Sequence, residues 1–308
     1  MQKYKYTVDS TFQIGSYHVN GVSPCQDYAD TLVSEHGERA TLVISDGCSS
    51  GGKTDVGARI LTHKYLVSSK RNNHDHGAKV NLTKRDLEYL GLAIEDFLAT
   101  LVTVEADQDQ IRATVSGDGV VVFQMENGFR YIYQIEWANN APAYPVYFSD
   151  AGKEAGLSVR FKEFHMDSSE PMSNKSFTVE HFRLIEEIKT RALDEEVQIA
   201  PTETISMSTD EPVVMVAIFS DGIDQIRHTV TGERIPLLEA IQLCLSFKNT
   251  NGSFVKRRIR KQITDWKKDG YEPFDDLSCA VLLLEELGDD DEVAEAIISS
   301  DEEVNDGN

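Results

Sequence analysis

The sequence predicts an α+β fold in which mixed, mostly antiparallel sheets are covered by helices. Three observations carry that reading. Tightly apolar runs of strand length stop abruptly at Asp-Gly pairs, helical blocks stand apart from them, and two turn signals, Gly117-Asp118-Gly119 and Glu126-Asn127-Gly128, join short β-type runs into a meander. A strictly parallel nucleotide-binding sheet fits this order less well.

Taken in order, residues 4–17 and 29–45 read as strands, the second closing on the apolar Thr41–Ser45 before Asp46-Gly47. A Gly/Ser-rich loop follows. From Thr54 the positions Val56, Ile60, His63, Leu66 and Val67 recur at helical spacing on one side to about Ser69, and the polar stretch 71–80 reads as loop. Thr83 followed three residues later by Asp86 is a helix-start signal, and Leu87, Leu90, Ile94, Leu98 and Leu101 predict one helix continuing to about residue 101. Runs at 111–116, 120–124 and 129–136 predict the antiparallel meander. Residues 165–212 lack clear periodicity and read as an insertion with a helix near 180–195. A strand at 213–220 again stops at Asp-Gly, helices are expected at 233–247 and 253–268, and a last strand, 277–284, starts straight after Asp275-Asp276.

Composition narrows the class. The 308 residues carry 52 Asp and Glu against 30 Lys and Arg, a formal charge of -22, which repels a phosphate backbone and argues against nucleic acid as partner. Eleven of the acids and no Lys or Arg fall in residues 285–308, and residues 286–308 read as an acidic, disordered tail. The four cysteines, Cys25, Cys48, Cys244 and Cys279, have no close pairing of the kind a zinc ribbon or disulfide framework needs. With no leader-like start and no run near the roughly 18 apolar residues of a membrane span, the expectation is a soluble cytoplasmic protein that does not enter a membrane.

The chemistry lies in the aspartates at strand ends. Asp46 and Asp221 each close an apolar strand, Asp275 and Asp276 precede another, and Asp118 sits in a turn able to reach the same edge. Two carboxylates about 4 Å apart repel by on the order of 4 kcal/mol at an effective dielectric near 20. No basic residue stands beside any of these aspartates in sequence, and hard oxygen ligands select Mg²⁺ or Mn²⁺. Two such ions sharing a carboxylate activate water against phosphorus. A plain turn is the ordinary reading of a single Asp-Gly pair.

Read in order, Cys25-Gln26-Asp27, Ser45-Asp46-Gly47, Ser116-Gly117-Asp118-Gly119, Ser220-Asp221-Gly222 and Asp275-Asp276-Leu277-Ser278 resemble the successive motifs of type 2C, metal-dependent (PPM) protein serine/threonine phosphatases, over about residues 10–285. The resemblance implies a four-layer α-β-β-α sandwich with two central, mostly antiparallel sheets flanked by helices, and a single catalytic domain spanning residues 1–285. It implies that Asp46 bridges two Mg²⁺ or Mn²⁺ ions. The Gly47 carbonyl and Asp27 would serve one of them, Asp221 and Asp275 would complete the other, and Asp118 would help hold a third, weaker ion. The implied activity is hydrolysis of phosphoserine and phosphothreonine in a protein substrate, such as one phosphorylated by a partner kinase, by direct attack of the metal-bridging water or hydroxide.

Two positions depart from that pattern. Val22 stands where many relatives have a phosphate-binding arginine, and Cys48 where many have a proton-donor histidine. A thiol with a pKa near 8.5 can donate a proton, but a small buried core cysteine is the expectation for Cys48. His18 resembles a histidine of some bacterial relatives and is a catalytic candidate that contacts phosphate or the leaving oxygen, against a purely structural role. Arg59 is a weaker phosphate candidate against an ordinary surface or structural role, Gly51-Gly52 is expected to be a flexible rim without the Lys-Ser/Thr ending of a P-loop, and the basic run 256–261 a solvated helix face able to meet acidic substrates or the acidic tail. Two other function classes stay open at this stage. One is a catalytically weak phosphatase-like binding module, the other a two-metal hydrolase of small phosphate esters.

Overall fold

The computed structural model describes residues 4–71, 80–128, 130–135, 142–154, 164–167, 178–184, 203–208 and 213–287. In chain order the elements begin with β1 (Tyr4–Gln13), a short helix α1 (Ser16–Gly21), β2 (Asp27–Val33), β3 (Ala40–Asp46), α2 (Thr54–Arg71) and α3 (Lys84–Leu90). Then come β4 (Leu101–Ala106), β5 (Gln110–Ser116), β6 (Gly119–Met125), β7 (Arg130–Ile135), α4 (Asp150–Glu154), β8 (Phe164–Asp167), β9 (Thr178–Leu184) and β10 (Glu203–Ser208). The chain continues through β11 (Val213–Phe219), β12 (Ile226–His228), α5 (Leu237–Cys244), α6 (Phe254–Lys268), β13 (Tyr271–Pro273) and β14 (Leu277–Glu286).

Two large sheets result, one ordered β1-β14-β11-β6-β7-β9-β8 and the other β10-β5-β4-β3-β2, with a small β12-β13 pair beside them. Among the described residues every strand pairing is antiparallel except β7 with β9. The central strands look uniformly apolar because both of their faces are covered. In β3, Leu42 and Ile44 face the sheet that holds β6, β11 and β14, while Val43 packs among α2 and α3 residues. In β6, Val121 and Phe123 enter the layer between the sheets, while Val120 and Val122 meet residues of α5 and α6. The period-2 alternation therefore builds three apolar layers, and the fold is the four-layer sandwich that the family resemblance implies.

Several expectations are corrected. The run 29–45 is a hairpin, β2 and β3, reversed through residues 34–39, and residues 4–17 divide into β1 and α1. The helix expected to reach residue 101 stops at Leu90, because Gly91 at φ +64° closes it in a left-handed cap; Ile94–Phe97 is one 3₁₀ turn and residues 101–106 are strand β4. Its start is as expected, since Thr83 and Asp86 form a reciprocal capping box. Gly117-Asp118-Gly119 is not a hairpin turn either. It carries the chain from one sheet to the other, and β5 pairs with β4 and β10 while β6 pairs with β7 and β11. Residues 178–184, which overlap the start of the helix expected near 180–195, form strand β9, and the remainder of that helix, most of the 71–80 loop and residues 288–308 of the tail lie outside the described residues.

Candidate functional site

Strand β3 spends its apolar residues on the core and ends on Asp46, directly opposite Asp27 at the start of β2. Two like charges in adjacent register positions are destabilising unless something positive or a proton lies between them. Burial raises the Asp46 carboxyl well above the ordinary range, and the negative charges of Asp27, Asp221 and Asp118 raise it further. Asp27, 1% exposed, is raised by burial too; the Ser220 hydroxyl donating to its Oδ2 at 2.7 Å opposes this, and Asp276 and Asp221 reinforce it. Asp27 also reaches Asp46 closely enough for a hydrogen bond, but only if the two share a proton; with both ionised, buried Asp27 Oδ1 has no donor.

The second sheet brings its aspartates to the same end. At the close of β11, Ser220 bonds Asp27 in the other sheet and accepts the Ser278 N–H at 3.0 Å. Asp221 then opens the 3₁₀ turn 221–224. Gly222 permits this turn to lie against β14, since a Cβ there would stand 1.8 Å from the Asp276 carbonyl oxygen. Asp118 arrives on the crossover between the sheets, held between Gly117 and Gly119 at φ +97° and +150°.

Asp275 and Asp276 divide their work. Asp276, 2% exposed, accepts the Gly15 N–H at 2.7 Å on Oδ1 and the Gln26 N–H at 2.6 Å on Oδ2. It therefore ties the segment leading to Asp27 onto the start of β14. Asp275 stays more open, its side chain 40% exposed, and lies 4.0 Å from His18 Nδ1. His18 is buried on α1 with Nδ1 2.9 Å from Asp276 Oδ2, off the direction of a hydrogen bond. His18, Asp275 and Asp276 can each present one ligand atom within 4.8 Å of the others, but both Asp276 oxygens are already engaged by main-chain donors. His18 therefore lies against the two carboxylates with no hydrogen bond from Nδ1 to either.

Cys48 is half-buried beside the third apolar layer rather than sunk in a core, which corrects the sequence expectation. Burial pushes its thiol up, but hydrogen bonds from Ser50, Tyr144 and the Ser50 and Gly51 backbone outweigh this and bring it below the ordinary value. Tyr144 is a site neighbour that sequence reasoning missed: its hydroxyl meets Cys48 and feels the charges of Asp118 and Asp46. It lies just before a 3₁₀ turn, 145–148, with no motif around it. Val22 is 93% exposed and holds α1's left-handed cap at φ +55°, so it offers phosphate nothing. Arg59 places its guanidinium over Tyr28, 5.5 Å from the ring centre. The Gly51-Gly52 rim is wedged, not flexible: a Cβ on Gly52 would stand 2.2 Å from Asp96 Oδ1, and that oxygen accepts the Lys53 N–H at 2.6 Å.

The donor set fits hard divalent cations. Asp27, Asp46, Asp118 and Asp221 share one electrostatic neighbourhood, at least one buried oxygen lacks a donor, and the acids' own repulsion leaves a positive charge in demand. No helix among the described residues is long and apolar enough to cross a membrane.

No curated protein sequence matches this chain significantly. Among solved structures it is similar to the PP2C phosphatase domain, with a fragment of the regulatory domain, of the cell fate determinant SpoIIE from Bacillus subtilis, at 11% identity and a TM-score of 0.52, covering 93% of this chain and 66% of that one. The chain thus spans just under two thirds of that SpoIIE chain. It is similar also to the S. agalactiae serine/threonine phosphatase, at 14% identity and a TM-score of 0.51, covering 91% of this chain and 100% of that one. Such distant likeness speaks for the fold. The protein phosphatase 2C family model matches residues 14–266, most of the chain, and the protein therefore belongs to that family.

Proposed function

We propose that this chain is a Mg²⁺- or Mn²⁺-dependent phosphatase acting on phosphoserine and phosphothreonine in proteins. The observation that carries the reading is the buried meeting of Asp27 and Asp46, one opposite the other, with Asp118 and Asp221 close enough to perturb Asp46. Asp46, the Gly47 carbonyl, Asp27, Asp221 and Asp275 are the residues that would hold two ions, with Asp118 serving a third. Bound there, the ions would offset the carboxylates and lower the pKa of water for in-line attack on phosphorus. The chain's own residues set the frame. Ser220 holds Asp27, Asp276 fixes the approach to β2, and His18 lies beside Asp275 and Asp276. Cys48, which receives a hydrogen bond from the buried Tyr144 hydroxyl, stands nearby as a thiol donor for a leaving oxygen.

The test is hydrolysis of a phosphothreonine peptide by the purified protein with and without Mn²⁺ or Mg²⁺. Turnover should require the ion and stop on chelation, and Asp46→Asn should lower kcat at least about a hundredfold. Absence of metal-stimulated turnover overturns the reading. The exposed Val22 favours a second possibility, a phosphatase-like module that binds a partner without efficient catalysis. Calorimetric titration separates the two, since a module of that kind has no need of Asp46-dependent Mn²⁺ binding. Faster turnover of small phosphate esters or nucleotides than of phosphopeptides would instead identify a small-ester hydrolase.

A further inference from the structure

Helix α6 reverses the charge of the molecule around it. Its fifteen residues hold seven Lys or Arg and one acid, Asp265, in a chain of formal charge -22. The inner face is committed to packing through Phe254, Val255, Ile259 and Trp266. Several of the cations are also committed locally: Arg258 donates to the Leu243 carbonyl, Arg257 to the Asn249 and Asn251 carbonyls, and Lys261 and Lys268 both grip Asp265. Lys256, Arg260 and Lys267 remain exposed, with no acidic partner among the described residues.

Those three share one stripe. At about 100° per residue, positions 260 and 267 lie within roughly 40° of position 256, and the stripe runs about 16 Å along the helix. Like charges at i and i+4 repel, so an uncompensated ladder of this kind wants an anion. The chain supplies one: residues 288–308 carry nine Asp or Glu and no Lys or Arg, beginning with Asp289–Glu292.

The connection between the two is short. Residues 288–308 follow β14, whose Glu286 pairs with Tyr4 and whose Val281 pairs with Asp9. Asp9 Oδ2 in turn accepts the Val255 N–H at 2.6 Å and the Lys256 N–H at 3.3 Å, which anchors the first turn of α6 over that point. Five strand residues, about 17 Å, separate this anchor from the end of β14, and 21 residues reach at most about 70 Å. Tethering also gives the segment an effective concentration in the millimolar range, which a free anionic partner of equal charge lacks.

We propose that the acidic segment 288–308 docks along the Lys256–Arg260–Lys267 stripe of α6. This goes beyond the proposed activity and does not depend on it. The test is carbodiimide cross-linking of the full chain, mixed as light and heavy isotopic copies and read by peptide mass spectrometry at low and high salt. Links within one copy should join Lys256 or Lys267 to acids of 288–308 and fall about tenfold between 20 mM and 500 mM NaCl, as screening shortens the reach of exposed charges. The triple variant Lys256→Gln, Arg260→Gln, Lys267→Gln should lower tail links to the remaining lysines of α6 by a similar factor, while the Lys261–Asp265 link persists as the sign that α6 is still folded. Three outcomes overturn the proposal: links only between copies, which assign the stripe to a second molecule; tail links spread evenly over lysines elsewhere, such as Lys5, Lys64 and Lys84; or no tail links at all.

Discussion

Asp27 and Asp46 show why single residues here are best understood as a set. Each is an ordinary strand-end aspartate in sequence, and each becomes a strained acid only because the other faces it in the same buried layer. The consequence for stability has a definite sign. Without divalent ions the folded state keeps protons on these raised carboxyls that the unfolded chain releases above about pH 4, so their contribution favours folding in acid and is lost as pH rises through neutrality. In chelator the melting temperature should fall between pH 5.5 and 8, Mn²⁺ should recover it, and Asp46→Asn should flatten the slope. A melting temperature in chelator that is level or rises across that range contradicts the shared burial. The strand-end acids were legible as residues, because Asp after an apolar run is a one-dimensional signal. Tyr144 was not, because nothing near it in the chain marks it, and its neighbours Cys48, Asp46 and Asp118 come from elsewhere in the sequence.

At the scale of elements, local signals succeeded where the physics is local. Thr83 and Asp86 exchange hydrogen bonds within one turn, with the Asp86 N–H donating to Thr83 Oγ1 at 3.2 Å and the Thr83 N–H donating to Asp86 Oδ2 at 3.0 Å. Thr83→Ala should therefore cost about 1 kcal/mol, measurable by urea denaturation. The same stretch also misled, since Ile94, Leu98 and Leu101 continue the helical spacing beyond the real end. Those side chains are apolar because Ile94 and Leu98 pack against the layer beside α2 and Leu101 belongs to it, as a turn and a strand require equally. Gly91 was the one cue to the stop. The β5 and β6 runs failed in a related way: a Gly-Asp-Gly turn between two apolar runs is as suited to crossing between sheets as to closing a hairpin, and only the partner strands decide.

For the molecule as a whole, the central layer is where the two sheets depend on each other. Phe123 is fully buried there on β6, within the same apolar layer as Tyr133 of its own sheet and Val104 of the other. Phe123→Ala should cost about 3–5 kcal/mol, read as a lower denaturation midpoint with an unchanged slope. It should also weaken Mn²⁺ binding, since the aspartates of the two sheets meet only if the sheets do. Composition and the period-2 runs were enough to state antiparallel sheets covered by helices with an acidic edge, because these follow from burial of neighbouring residues in the chain, while the four-layer sandwich was implied only by the family resemblance that the ordered Asp-Gly motifs carry. The tie through Asp276 joins residues 261 and 250 positions apart, and no pattern within a strand encodes such a closure. Which carboxylates face one another, which acid positions and which remains open, and where the cations of α6 find themselves unopposed were settled only by packing. The physical reason is that charge interactions depend on distance in space and on exclusion of water, and the folded chain alone supplies both.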